Sequence, residues 1–473
     1  MKITYSPSRR TAVAATLAAV VLSGCATFSQ DGGMDAVSTM TQARTGQPVA
    51  VTKPARDASQ LSDAVTQLLA KPLTAETAVQ VALLNNRGLQ ASFAELGIAE
   101  ADLVQAGRLR NPGFAFGRLR GGEVVEIERS IMFDLVGLLT LPIRSGIEGR
   151  RFEQAKLQAA TQAVQLAADT RRAYFNALAA EQAAQFMEQV KTSAEASAEL
   201  GRRMASVGNW SKLDQMREQV FYADATAQLA RARHNATAAR EQLTRLLGLS
   251  SADTGLKLPE RLPDLPKTLT EMKNVEQLAM EQRLDVQMAK LGTQATASAL
   301  GLTKTTGFLN VFEVGYQNKN ETGEPRVNGY EIELALPIFD WGGARTARAE
   351  AAYMQAVHRT ADLAIRARSQ VRESYSAYRT SYDIATHYRD EIVPLRKRVS
   401  DEVLLRYNGM LASVFELLAD AREQVTSVNG AIEAQRDFWI AETALQAAIN
   451  GSSGDAGLGR MTAEPAAQSA PEH

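Results

Sequence analysis

With 473 residues, 22% of them charged and only 6% aromatic, this chain suits long helices with small-residue seams better than a thick globular core. A net charge of −1 gives no footprint for nucleic acid. A single cysteine excludes an intrachain disulfide and a cysteine-based metal cluster.

The chain opens on Lys2, Arg9 and Arg10, followed by an apolar run from Thr11 to Leu22 that is too short for a membrane span. Leu22-Ser23-Gly24-Cys25 then resembles a bacterial lipoprotein signal, in which residues 1–24 are cleaved and the Cys25 thiol is acylated. Ala26, in place of an aspartate, favours the outer membrane. Acyl chains anchor by burying methylenes, at ~0.8 kcal/mol each, without spanning the bilayer. Residues 25–72 are polar with little periodicity and read as a tether lying along the body, partly ordered by contact.

From Thr74 to Gly107 the pattern is helical, opened by the hydroxyl cap and early acid of Thr74-Ala75-Glu76-Thr77 and closed by Asn111-Pro112-Gly113. Two strand candidates follow. The first runs from Gly113 to Arg120. In the second, Val125, Ile127 and Arg129 alternate with Glu126, Glu128 and Ser130. Leu141-Pro142-Ile143-Arg144-Ser145-Gly146 then opens a helix expected from Gly146 to about Val207. At ~1.5 Å per residue, such a helix reaches roughly 90 Å. Its small and apolar positions, from Ala163 through Ala173 and Ala184 to Met187, step at heptad spacing. After Gly208-Asn209-Trp210-Ser211 the pattern resumes to Leu247, giving an antiparallel hairpin.

Pro259, Pro263 and Pro266 mark a connector over 251–268, and the plan then repeats over 269–450. Leu269-Thr270 parallels Leu73-Thr74, at a spacing within one residue of that between Pro142 and Pro337. Strands are expected over Leu309–Gln317 and Gly329–Leu336, around a polar turn from Asn318 to Asn328. Apolar and acidic residues alternating at period two are the pattern of a transmembrane barrel strand. Leu336-Pro337-Ile338-Phe339-Asp340-Trp341-Gly342-Gly343 then opens a second long helix. Pro394 lies inside it and predicts a kink rather than a stop. Asn408-Gly409 turns into a last helix, and 451–473 reads as a disordered tail. The barrel-to-rod junctions are assigned to Pro142 and Gly146 in the first copy and to Pro337, Gly342 and Gly343 in the second.

An open sheet edge in lipid leaves N–H and C=O groups unpaired at several kcal/mol each, and four strands cannot close around an interior. Several chains must therefore share one barrel: two would give a filled eight-stranded one, three a twelve-stranded one with a lumen.

The lipoprotein signal, the duplicated helix–strand–strand–helix plan, the Leu336–Arg345 stretch and the paired Gly…Ser hairpin turns resemble the TolC-type outer-membrane efflux factors, over about residues 70–450. The resemblance implies mixed α and transmembrane β architecture. Each chain of a homotrimer gives four strands to a twelve-stranded barrel, continuous with a helical periplasmic tunnel. It further implies outer-membrane lipid around the barrel, docking to a periplasmic adaptor and an inner-membrane pump of, for example, the resistance-nodulation-division type, and no bond chemistry. A periplasmic gate in that family is narrowed by acids and a tyrosine near the hairpin turns. The matching positions are Asp214, Tyr407 and Glu416. The family's second tip acid falls on Ala419, with Asp420 next to it, and a basic turn residue is replaced by Ala412. Acids near helix starts also suit plain capping, so the gate role of Asp214 and Glu416 stands beside that reading.

His234, His358, His387 and His473 fall in no ligand motif, and H-E-x-x-H, G-x-S-x-G and P-loop patterns are missing. No catalytic residue, metal site or cofactor is expected. The alternative is a periplasmic coiled-coil lipoprotein acting as tether or scaffold, which accounts for the rods but not for four alternating strands.

Overall fold

The computed structural model describes residues 27–49, 57–250, 256–306, 311–335 and 338–451. The expected signal peptide with Cys25, the Leu336-Pro337 pair and the tail beyond Gly451 lie outside these residues. The helices are α1 (Met34–Thr45), α2 (Asp57–Leu69), α3 (Ala75–Asn85), α4 (Arg87–Ala106), α5 (Leu135–Ser206), α6 (Lys212–Leu246), α7 (Val275–Gln282), α8 (Leu284–Thr306), α9 (Gly343–His387), α10 (Val393–Asn408) and α11 (Val414–Asn450). The strands are β1 (Gly113–Gly121), β2 (Val124–Asp134), β3 (Phe312–Glu321) and β4 (Val327–Leu334), in one antiparallel sheet ordered β1-β2-β3-β4.

The chain divides into two compact units. The first takes the chain up to Gln67, Leu83–Ala163 and Leu284–Ser369, and contains the sheet. In it, the Ser29 backbone N–H and hydroxyl donate to Glu100 Oε1 at 2.6 and 2.5 Å. Gly33, at φ +79°, lies against Phe152 and Lys156, where a Cβ would come within 2.9 Å of both side chains. The stretch read as a tether along the body contains α1 and α2, and its first part is held against the body by these contacts. Gln154 Nε2 donates to the Met288 carbonyl at 3.1 Å, and the Thr293 and Thr360 hydroxyls meet at 2.8 Å.

The second unit takes Leu68–Ala82, Val164–Arg283 and the chain from Gln370 onward. Its core gathers Val275, Ala279, Val371, Tyr378, Phe438, Leu445 and Ile449. Arg283, almost fully buried, donates to the Ala448 carbonyl at 2.9 Å and to Gln370 Oε1 at 3.1 Å. The proline-containing connector is part of this core: Trp439 Nε1 donates to the Pro263 carbonyl and Tyr382 Oη to the Pro266 carbonyl, both at 3.0 Å.

Several boundaries differ from the sequence reading, each for a local reason. The helix expected over 74–107 divides at Asn86, whose side chain accepts from the Leu89 N–H at 3.0 Å and so caps a new helix. Residues 318–321 belong to β3, and Gly323, at φ +88°, turns the chain. Pro394 neither stops nor simply kinks its helix. A π-helical turn, Tyr388–Ile392, precedes it, and the backbone stays right-handed helical through His387, Ile392 and Val393 into α10. Among the described residues no helix is long and apolar enough to cross a membrane.

Candidate functional site

The sheet carries two opposed chemistries. Residues directly opposite across a ladder share a face, and side chains alternate along each strand. Phe114, Ile131, Tyr316 and Tyr330 form one row across all four strands. Phe133, Val314 and Ile332 form the next row on the same face. Apart from half-buried Val314, these side chains are solvent-exposed in the single chain, Tyr330 at 89%. Toward the turns this face becomes polar, with Arg118, Arg129 and an Asn318–Asn328 side-chain hydrogen bond of 2.6 Å.

The other face is acidic. Asp134, Glu313 and Glu333 lie directly opposite one another on β2, β3 and β4. Glu331 faces Gly315, Glu126 faces Glu321, and Glu128 faces Lys319. Among the described residues two cations reach this array: Lys319 pairs with Glu126 and lies 4.0 Å from Glu128, and Arg110 lies 3.7 Å from Asp134. Like charges directly opposite on neighbouring strands destabilise a sheet unless water or counter-ions screen them. Among the described residues the outer edges of β1 and β4 pair with no further strand.

The structure revises the first junction. Pro142 does not end a strand and Gly146 does not begin a helix: β2 ends at Asp134, α5 begins at Leu135, and both residues lie inside α5. The reason is a cap. Asp134 Oδ1 accepts from the Gly137 N–H at 2.7 Å and starts the helix at once. At the second junction Asp340 Oδ1 accepts from the Gly342 N–H at 2.8 Å, Gly342 takes φ +78°, and α9 begins at Gly343 as expected. Pro337 lies outside the described residues. The turning residues are thus Asp134 and Asp340, each within a Phe-Asp-x-x-Gly sequence (133–137 and 339–343) that the proline match passed over.

At the hairpin turns, Asp214 and Glu416 each sit in a helix cap. Ser211 Oγ accepts from the Asp214 N–H at 3.2 Å and donates to Asp214 Oδ2 at 2.6 Å. Ser413 Oγ accepts from the Glu416 N–H at 3.2 Å. Among the described residues no hydrogen bond or ion pair joins Asp214, Tyr407 and Glu416 to one another. Asp420 is buried, and its Oδ2 has no hydrogen-bond partner.

Other residues tie the two turns together. The Trp210 and Phe415 rings stand 5.2 Å apart. Glu218, 2% exposed, accepts from Ser197 Oγ at 2.7 Å and from Arg422 Nη2 at 3.2 Å. The Arg422 guanidinium lies 4.5 Å from the Phe221 ring centre. An aromatic in each turn was the one visible hint of this pairing.

No protein-family model matches the chain. It is 27% identical over 290 residues to the cobalt-zinc-cadmium resistance protein CzcC of Cupriavidus metallidurans, a match covering 57% of this chain and 64% of that protein. The chain therefore spans less than two thirds of that curated relative. Among solved structures, it is similar to the outer-membrane channel OprN, with a TM-score of 0.68, 17% identity and coverage of 87% of this chain and 95% of that one. It is also similar to the Campylobacter jejuni CmeC outer-membrane channel, with a TM-score of 0.67, 15% identity and coverage of 86% and 89%. Helical segments and a four-stranded antiparallel sheet are arranged here as in those channels, and the chain has the fold of the TolC-family outer-membrane channels.

Proposed function

We propose that this chain is the outer-membrane exit duct of a tripartite efflux system. It conducts cargo passively from a periplasmic adaptor and an inner-membrane pump, of the resistance-nodulation-division type, to the exterior. The observation that carries this reading is the sheet: one face apolar and exposed, the other acidic, both outer edges open. The apolar face suits lipid and the carboxylate face suits water. Open edges require other chains to complete a barrel. Three copies supply twelve strands and a lumen, and the long helices, read as products of one duplication, continue it as a periplasmic tunnel gated near Asp214, Tyr407 and Glu416. Acylated Cys25 anchors each chain to the outer membrane.

The acidic face and the likeness to a cobalt-zinc-cadmium resistance protein both favour divalent metal cations as cargo. The test is the membrane-extracted protein: a trimeric mass, mobility in detergent gels that changes on heating, and ion-conducting pores in planar bilayers. A monomeric rod without pores would replace this reading with that of a periplasmic tether. Metal sensitivity on deletion, restored by the intact gene, tests the cargo.

A further inference from the structure

Three arginines stand on the apolar face of the sheet, opposite the acids. On β1 and β2, Arg129 faces Phe116, Arg118 faces Ile127 and Arg120 faces Val125, and all six share the face of Phe114 and Ile131. The three arginines are exposed. Among the described residues none of them pairs with a carboxylate, and Arg120 donates only locally, to the Gly122 carbonyl at 3.4 Å. The acidic face is built differently: Lys319 stands opposite Glu128 and pairs with Glu126. The sheet therefore gives Lys319 acids and gives these arginines apolar neighbours.

The arginines lie toward the turn end of the strands. At ~3.3 Å per residue, Arg118 is roughly 13 Å and Arg120 roughly 20 Å past Phe114 along β1, and Arg129 is roughly 7 Å past Ile131 along β2. Arg118 and Arg129 are diagonal neighbours across the ladder, about 7–8 Å apart. At the other end of the strands α5 and α9 begin, and there Leu139, Ile338 and Phe339 are exposed. Among the described residues neither helix is long and apolar enough to cross a membrane. In the duct the helix end of the sheet faces the periplasm, so the arginines stand at the outer rim, on the lipid side.

Guanidinium groups gathered on one face repel one another unless an anion lies among them. A cation on the lipid side of a barrel strand is costly at the midplane and tolerated near the interface. At that height the available anions are headgroup phosphates. A planar guanidinium donates two parallel N–H bonds to a phosphate, while its stem lies along apolar surface. The spread of the three positions along the strands fits a headgroup carrying more than one phosphate. We propose, resting on the duct reading, that Arg118, Arg120 and Arg129 bind the phosphates of an outer-leaflet lipid whose acyl chains descend along Phe114, Phe116 and Ile131.

The test uses the purified full chain in detergent, with lipid A bearing two phosphates as the probe and native mass spectrometry to titrate the bound lipid. The triple variant Arg118→Gln, Arg120→Gln, Arg129→Gln should bind it roughly tenfold more weakly than the parent, or worse. The triple lysine variant, which keeps the charge and loses the fork, should fall between the two. Arg110→Gln, at the helix end of the sheet, should match the parent. The parent should hold fully dephosphorylated lipid A as weakly as the glutamine variant holds the phosphorylated form, and inorganic phosphate should not displace the lipid. Equal binding by parent and glutamine variant overturns the site, as does equal binding of the two lipids by the parent. Displacement by inorganic phosphate overturns the lipid as occupant. If the glutamine variant fails to assemble, the two-lipid comparison on the parent decides alone. A parent that forms pores and retains no lipid overturns the site and leaves the duct reading. A parent that forms no pore overturns the duct reading, and the two-lipid comparison still decides the site.

Discussion

Arg422 on α11 places its guanidinium 3.2 Å from the Glu218 carboxylate on α6, a residue 204 positions earlier in the chain. Glu218 is 2% exposed, whereas the Arg422 side chain is 43% exposed. Removing the arginine alone therefore strands a buried charge, with part of the cost screened by solvent on the Arg422 side. Arg422→Met is expected to cost about 1–3 kcal/mol in denaturant unfolding. Adding Glu218→Gln should recover much of that loss, and a double-mutant cycle measures the coupling.

Gly315 is required by contact rather than by backbone conformation. A Cβ there would overlap Met132 Sδ and stand 2.9 Å from the Ile131 carbonyl oxygen on the neighbouring strand. The methionine can move, but the backbone oxygen cannot without breaking the β2–β3 ladder. Gly315→Val should cost about 1–3 kcal/mol and reduce the heat-modifiable form in detergent gels.

Neighbours on β4 should respond oppositely to the same substitution. Ile332 is on the apolar face and Glu333 on the acidic one. Ile332→Lys is expected to cost about 2–4 kcal/mol and to deplete the assembled species in outer-membrane fractions, as a charge does on the lipid side of a barrel strand. Glu333→Lys should assemble normally.

The row Asp134–Glu313–Glu333 should set ion preference. In bilayers with a salt gradient, the parent's reversal potential should lie on the cation-selective side. Glu313→Gln with Glu333→Gln should move it toward zero without removing the pore. Asp134 is best left intact, since its carboxylate also caps α5.

Glu442 gives a pH signature. Burial raises its carboxyl above the model-compound value of 4.5, opposed by Arg171 and reinforced by the charge of Glu76. A carboxyl whose folded value is raised binds its proton more tightly in the native state. Its contribution is fully present below the unfolded value and is lost as pH climbs from 4.5 through the folded value. Glu442→Gln should therefore raise the melting temperature at pH 7 and leave it nearly unchanged near pH 3, by circular dichroism. Tyr174, pushed up to about 12 by burial and donating to the Leu73 carbonyl at 3.0 Å, stays neutral throughout that range.

Local pattern was enough to read the strands and long helices. The alternation Glu331-Ile332-Glu333-Leu334 marks a two-faced strand from side-chain period alone, and the seam Val371, Tyr378, Ala385 marks a packed helix face. Tip caps were legible too, since a Ser three residues before an acid forms its hydrogen bond locally, as Ser211–Asp214 does. At the first junction local pattern misleads, because a proline within the opening turns of a helix looks like a stop, while the cap that starts α5 is Asp134.

What the sequence determined by itself was therefore whatever depends on near neighbours: helix and strand identity, caps, and the separation of apolar from acidic strand faces. Only the tertiary structure decided which distant residues meet. Glu218 with Arg422, Trp210 with Phe415, and the carboxylate row Asp134–Glu313–Glu333 join segments far apart in the chain. No local periodicity encodes such pairings, because they depend on strand register and on how far along each rod its partner lies.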